Sequence, residues 1–448
     1  MAEKVPVKKR EIFGWAMYDF ANSSYTTVVI SFVYSAFFTA HVVPADSTVK
    51  DSFWALAIVF STIIAIVLSP LAGAICDFSG GKKKYLLAST LTCAISTACL
   101  AFVGPGDIWL AIFLIAISNA AFMLGESFIA SFLTDIANSD NMGKISGLGW
   151  GLGYFGGLSS LILVYSFIGD SAALEASEVV SRNQIAMLML SGFFFLSALP
   201  TFILVKERTE PVAGFEDAGF KRLMLAGMNE MKSSFSLVKN YPVLFKFFLA
   251  FMVYMAGLEV VIKFIGIYSQ VELELSASYL QMMFIILQFS AAGGALAFGF
   301  LETRIGAKTT VLTTIVWWVI GVMAIFFLDQ IAAFAGTERG NVFLVIAMIA
   351  GAGIGSIQSS SRAVVGLLSP PGRSAQMFGF WGMFMRLAII LGMTFGPVAD
   401  ALGSRRMALL LVAGFFIVGG LMLVRVPITE AIEANRRLLN GDVKEEAG

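Results

Sequence analysis

Several polar side chains stand inside otherwise apolar stretches of this 448-residue chain, and their types define the chemistry open to it. Asp19 is followed by Asn22, Ser23 and Thr26 at i+3, i+4 and i+7, so the four share one face of a helix. Tyr18, Asn22 and Tyr25 form an adjoining strip. Such a stripe can contact a solute or pass a proton, or it can be a hydrogen-bond cluster between helices. Glu126 is a second carboxyl, with Asn119 one heptad earlier on the same side, and is a candidate proton acceptor. Asp135, nearer the end of that stretch, is expected to cap or bridge. Glu259 and Lys263 are four apart, in the favourable order for a helical ion pair. They can neutralise each other, or open to receive a zwitterion, with its ammonium on Glu259 and its carboxylate on Lys263. The guanidinium of Arg386 is a planar fork that fits carboxylate or phosphate, or an acid on another helix. Arg362 lies near the end of its stretch and is expected to fasten a gate. Gln288 and Gln358 add polar lining.

A second set of residues is organised by repetition. One turn reads Gly73-Ala-Ile-Cys-Asp77-Phe-Ser-Gly80-Gly81-Lys82-Lys83, and another, 226 residues later, reads Gly299-Phe-Leu-Glu-Thr303-Arg304-Ile-Gly306-Ala-Lys308. Glycine, a polar residue at +4, glycine at +7 and lysine at +9 recur in both. Glycine permits a sharp turn between helices, and lysine suits an anionic inner membrane surface. Asp77 ends a helix, where the dipole disfavours negative charge, so it is expected to meet a neighbouring helix N-terminus or a cation. In the second copy Thr303 stands at the position of the acid. Asp77, Gly80, Lys82, Lys83, Arg304, Gly306, Lys308 and Arg362 are the candidate gating residues.

The elements that must position these groups are set by hydropathy. Hydrophobic residues make up 58% of the chain and charged residues 13%, with mean hydropathy +0.84; soluble domains carry about 25% charged residues. A span needs roughly 20 apolar residues. Twelve such stretches lie near 13–41, 53–76, 85–104, 108–133, 145–168, 184–205, 244–268, 279–300, 309–328, 341–363, 376–400 and 406–426. Backbone groups in lipid must bond internally, so these are helices. The expected fold is an all-α membrane protein, with six helices in 1–205, a linker at 206–243, six helices in 244–427 and a tail at 428–448. Pairs at Gly149/Gly153 and Gly351/Gly355 predict close helix contacts, and Gly396-Pro397 a kink or end in the eleventh span.

Basic residues orient the chain. Loops on the N-terminal side hold 22 of them and the opposite loops 5, which predicts cytoplasmic termini. The N-terminus leads into a long span without a cleavage site and reads as a retained tail. Within the linker, Phe220, Leu223, Met224, Met228, Met231 and Phe235 alternate with lysines as in an amphipathic surface helix joining two halves. The tail from Ile428 reads as a short helix that frays. Cys76, Cys93 and Cys99 read as small buried thiols, and His41 as an interface residue at the outer end of the first span. No metal cluster, nucleophile–base pair or phosphate-binding loop is visible, so no cofactor and no enzyme activity are expected.

The first turn resembles the signature loop of the major facilitator superfamily, G-x-x-x-D-x-x-G-x-[KR]-[KR], with Phe78 where a basic residue is common. The stretches Gly14-Trp15-Ala-Met-Tyr18-Asp19-Phe-Ala21-Asn22-Ser23, Ser146-Gly147-Leu-Gly149-Trp150-Gly-Leu-Gly153-Tyr154-Phe-Gly156-Gly157, Gln358-Ser-Ser-Ser361-Arg362 and Pro370-Pro371-Gly372-Arg373 resemble the branch that holds the vacuolar amino-acid effluxers and their bacterial relatives. The resemblance implies two pseudo-symmetric six-helix halves, a cavity lined by the first, fourth, seventh and tenth spans, and alternating access for a small solute such as an amino acid. A monomer among membrane lipids with a small-molecule substrate is expected; the zero formal charge gives no nucleic-acid reading, and cytoplasmic termini without a visible targeting signal fit a bacterial inner membrane. A lipid or lysolipid flippase and a transport-inactive sensor on the same fold stay open.

Overall fold

The computed structural model describes residues 7–47, 49–169, 174–215, 219–233, 241–271, 273–275 and 277–440. Among them are twelve helices long and apolar enough to cross a membrane, and no strand. We number them α1 Lys9–Val42, α2 Ser52–Ser79, α3 Lys82–Phe102, α4 Ile108–Ile136, α5 Met142–Ile168, α6 Ala176–Leu204, α7 Pro242–Lys263, α8 Met282–Ile305, α9 Ala307–Phe326, α10 Arg339–Leu368, α11 Ser374–Leu402 and α12 Arg405–Val424. Helix α6 starts eight residues before the expected boundary. Its polar first turns are held by an Arg182–Glu178 pair at 2.6 Å and by Arg182 donating to the Ile168 carbonyl at the end of α5, 3.0 Å.

The chain forms two compact units. The first holds Met1–Ile136, Leu152–Met228 and Ala375–Gly382; the second holds Ala137–Gly151, Asn229–Ser374 and Met383–Gly448. The opening turns of α11 thus pack in the first unit, and those of α5 in the second. The repeat read in the sequence is a repeat of packing. In the first half α1 packs on α6, α2 and α3 on α4, and α3 on α6; in the second α7 packs on α12, α8 and α9 on α10, and α9 on α12. Every pairing recurs with six added to both numbers, which makes the halves pseudo-symmetric.

Small residues set the closest approaches, because helices in lipid associate by packing and hydrogen bonding. A Cβ at Gly156 would lie 2.0 Å from the Phe20 carbonyl oxygen, so α5 meets the backbone of α1 directly. Gly153 meets Asp19 and Ser23 on the same seam, and Gly351 and Gly355 of α10 face Leu287 and Ala291 of α8. Buried hydroxyls complete the bundles: Tyr18 with Thr90 at 2.8 Å, Tyr25 with Ser118 at 2.7 Å, Tyr254 with Ser361 at 2.7 Å and Thr314 with Ser356 at 2.7 Å.

Two spans break their regular geometry. Helix α1 is α-helical over Lys9–Tyr25, then π-helical over Thr26–Phe32 and again over Phe38–Val42. The widening begins at Thr26-Thr27-Val28-Val29-Ile30, five β-branched residues in succession, which crowd a regular helix. In α11 the regular helix stops at Gly392 and resumes at Phe395. The ring of Pro397 collides with the carbonyl four residues earlier, at Met393, so the break precedes the proline.

At the surface, Phe220–Ser233 is helical, as expected for the linker. Phe235 lies outside the described residues, as do the side chains of Phe220 and Met231. The tail helix Ile428–Asn440 docks through Asn435, whose amide donates to the carbonyls of Leu367 and Ser369 at 3.0 and 3.3 Å. Cys76 and Cys93 are buried, whereas Cys99, just before the 3-10 turn Leu100–Phe102, is only half-buried. His41 stacks on Phe37 at the end of α1.

Candidate functional site

The first unit carries Asp19, Asn22 and Glu126. Asp19 is half-buried, and its backbone carbonyl faces Gly153 of α5. Asn22 is 6% exposed, and its Oδ1 meets no hydrogen-bond donor among the described residues. An unmet buried acceptor is costly, and this one stands a turn before the π-helical stretch. Such stretches are frequent at functional positions. The tyrosines of the adjoining strip are different: both are at most 1% exposed and hydrogen-bonded to α3 or α4. They belong to the packing seam and not to a solute-facing stripe. Glu126 is half-buried on α4. Asn119 is not part of its environment in the same sense, since the Asn119 amide donates to Ser61 Oγ at 2.7 Å and ties α4 to α2.

The second unit carries Glu259, Lys263 and Arg386. Glu259 and Lys263 lie 3.4 Å apart on α7, with side chains 13% and 42% exposed. That is longer than the roughly 2.7–2.9 Å of a tight charge-assisted bond. Gly392 of α11 approaches the Cβ of Glu259. Arg386, on α11, is buried. Gln288 and Gln358 are half-buried on α8 and α10.

The turn between α2 and α3 is built by Gly80 and Gly81, at φ 59° and 88°. These are left-handed conformations that glycine adopts without a Cβ clash. Asp77 is buried at the end of α2 and accepts from the backbone amides of Ala375 and Gln376, at 3.1 and 2.7 Å. Its carboxylate therefore caps the N-terminus of α11, where the helix dipole favours negative charge. A Cβ at Gly73 would lie 2.3 Å from the Ala375 carbonyl oxygen, so that glycine lets the opening turn of α11 rest on α2. Of the lysines, only Lys82 turns inward. It is 1% exposed, donates to Asp135 at 2.8 Å and to the Ser131 carbonyl at 3.2 Å, and lies over the Phe132 ring. Asp135 is thus a bridging acid. Lys83 is half-buried at the surface, and its amide donates to Glu207 at 2.8 Å.

The second copy of the turn differs from the sequence alignment. Gly306 takes the left-handed φ of 82°, but Thr303 and Arg304 are exposed. The acid is one residue earlier. Glu302 is 6% exposed, and its carboxyl group covers Gly143 in the opening turn of α5; a Cβ there would lie 2.2 Å from Glu302 Cδ. Lys308 donates to the Val424 carbonyl at the end of α12, 2.9 Å. Arg362 is 2% exposed and grips α5, donating from Nε to Ser146 Oγ at 3.0 Å and from Nη2 to the Ser146 carbonyl at 2.9 Å. Its guanidinium lies 5.5 Å from the Trp150 ring, and Ser146 in turn donates to the Ser359 carbonyl at 2.7 Å. Sequence spacing missed Glu302 and Ser146. The signal for Glu302 was an acid three residues after Gly299 and not four.

Comparison with known proteins places this architecture. The family described as "Vacuole effluxer Atg22 like" matches residues 43–436. An uncharacterised MFS-type transporter of Bacillus subtilis, YxiO, is 26% identical over 423 residues, covering 92% of this chain and 94% of that protein. Autophagy-related protein 22 of Saccharomyces cerevisiae is 23% identical over 430 residues, covering 86% and 77%. Among solved structures, the proton:xylose symporter XylE superposes with TM-score 0.72 at 16% identity, covering 95% of this chain and 98% of that one. The human organic anion transporter MFSD10 superposes with TM-score 0.73 at 15% identity, covering 94% and 100%. Both likenesses are of fold. With nearly the whole chain matched by one family, this protein belongs to the Atg22-like family of the major facilitator superfamily of transporters.

Proposed function

We propose that the protein moves a small zwitterionic solute of amino-acid type across a cell membrane by alternating access, with protons as the coupling ion. The observation that carries this reading is the Glu259–Lys263 couple. The buried Lys82–Asp135 pair is drawn tight, 2.8 Å. The α7 couple is looser at 3.4 Å, with a lysine 42% exposed. An acid and a base four residues apart offer one anionic and one cationic contact to a solute carrying both charges. Asp19 and Glu126 are the carboxyls offered for proton transfer, since ionisable groups inside spans mark substrate and proton paths. The 22-to-5 division of basic residues supports cytoplasmic termini. In the cycle, Asp77 lets go of the α11 amides and Arg362 of Ser146, and both reform on return.

A ligand screen by thermal shift tests the reading on purified protein. Amino acids are expected to raise the melting midpoint of the wild type, and to lose that effect in Glu259→Gln and Lys263→Met. Stabilisation by lysolipids in place of amino acids would favour a flippase. Stabilisation by amino acids that survives both substitutions would remove the couple from the site.

A further inference from the structure

Sequence alone reads residues 206–243 as a linker, but in the first unit its described residues between 207 and 227 are tied at five successive places to α1, α2 and the turn between α2 and α3. Glu207 accepts from the Lys83 amide at 2.8 Å, at the start of α3. Arg208 pairs at 2.8 Å with Glu11 of α1, which is 0% exposed. The Val212 amide donates to the Phe78 carbonyl at 3.0 Å, while Pro211 packs so closely on Gly80 that a Cβ there would lie 2.6 Å from its nitrogen. Phe215 then meets the Phe78 ring at a centroid distance of 5.1 Å, with the Arg222 guanidinium 5.0 Å from the Phe215 ring. Finally the linker helix buries Leu223 and seats Gly227 on Ile75 and Leu71, one turn before Asp77. Phe78, which replaces a basic residue in the signature pattern, has a specific use: it is the surface on which the linker rests.

We infer that residues 207–215 and 219–227 form a strap that positions the α2–α3 turn, so that Phe215 and Arg208 control how readily Asp77 leaves the N-terminus of α11. Asp77 follows Cys76 and precedes Phe78, so a movement that withdraws its carboxylate from the Ala375 and Gln376 amides must also move the strap's main anchor. The strap adds its own contacts to the capped arrangement. Opening of the turn then requires that an aromatic pair, a backbone hydrogen bond and a buried ion pair give way or travel together. Phe215 and Arg208 are positioning residues: they reach the gate through Phe78 and α1, and touch no solute. This inference rests on reading the turn as a gate, and the experiment separates the two.

Cys76 supplies a native probe, because it is 0% exposed and adjoins Asp77. In the full-length protein with Cys93→Ser and Cys99→Ser, reconstituted in nanodiscs, the rate of maleimide labelling at Cys76 reports opening of the turn. Phe215→Ala and Arg208→Ala are each expected to raise that rate about ten-fold, the scale of a lost aromatic or buried ionic contact, while Phe215→Trp leaves it near the parent value. Asp77→Asn is expected to raise it as well. An unchanged rate in Phe215→Ala and Arg208→Ala, with elution profile and melting midpoint intact, overturns the strap. If those variants do not fold, Val212→Pro, which deletes the amide donor to Phe78, must raise the rate for the inference to stand. An elevated rate in the strap variants with no response in Asp77→Asn would keep the strap and refute the gate.

Discussion

At the scale of single residues, burial and partner decide what a charge is for. Lys82 and Asp135 are close and almost sealed from solvent, with side chains 2% and 16% exposed. Removing one partner of such a pair leaves the other uncompensated and costs about 3–5 kcal/mol. Lys82→Met is therefore expected to lower the melting midpoint sharply, and Lys82→Met with Asp135→Leu to recover most of the loss. A single variant as stable as the wild type would contradict the assignment of Lys82 as a structural anchor. The sequence made the presence of these charges legible but not their division into anchors and working groups. Tyr18 and Asn22 stand four apart on one helix, yet the tyrosine is bonded to Thr90 while the Asn22 carbonyl oxygen meets no donor among the described residues. Spacing along a helix gives the face, and only the neighbouring helix tells whether the face is satisfied.

Among the elements, hydropathy was enough to count the spans, because each is a mainly apolar run between basic or polar turns, but it missed the polar first turns of α6. It was not enough to align the two gate turns. Glycine and lysine recur at matching positions, but the acid moves from +4 to +3, about 100° around the helix, so that Glu302 and not Thr303 covers the start of α5. The strap was illegible for a similar reason, since its contacts join segments with no shared periodicity. Glycine contacts were legible as motifs but not ranked by them. Gly156, outside the expected pairs, makes one of the closest backbone approaches, 2.0 Å from a built Cβ to the Phe20 carbonyl oxygen. Gly156→Ala should destabilise the protein by about 1–3 kcal/mol, because the methyl group forces α1 and α5 apart. Gly192→Ala, with nothing within 4 Å of the added Cβ, should be neutral or mildly stabilising. Equal effects of the two in a thermal melt would refute the close seam.

For the whole molecule, two units of recurring packing carry ionisable groups in their spans, and the family is one of transporters. The opening turns of α5 and α11 each pack in the unit opposite to most of their own half. Asp77 holds one such turn and Arg362 the other. The proposed cycle needs both grips to be reversible, which suits a hydrogen-bonded cap and a hydrogen-bonded arginine better than an apolar seam. Proton coupling belongs to this scale. Asp19→Asn and Glu126→Gln are expected to weaken the dependence of transport on a pH gradient while leaving insertion and stability intact. Transport that responds to the gradient as before in both would assign the coupling elsewhere.

The most direct measurement is the flux of radiolabelled neutral amino acids across proteoliposomes containing the purified protein. The account predicts saturable, counterflow-competent flux that falls at least about ten-fold in Glu259→Gln and in Lys263→Met, the scale of one lost ionic contact. Flux no greater than that of protein-free liposomes, or flux that both substitutions leave intact, would contradict it.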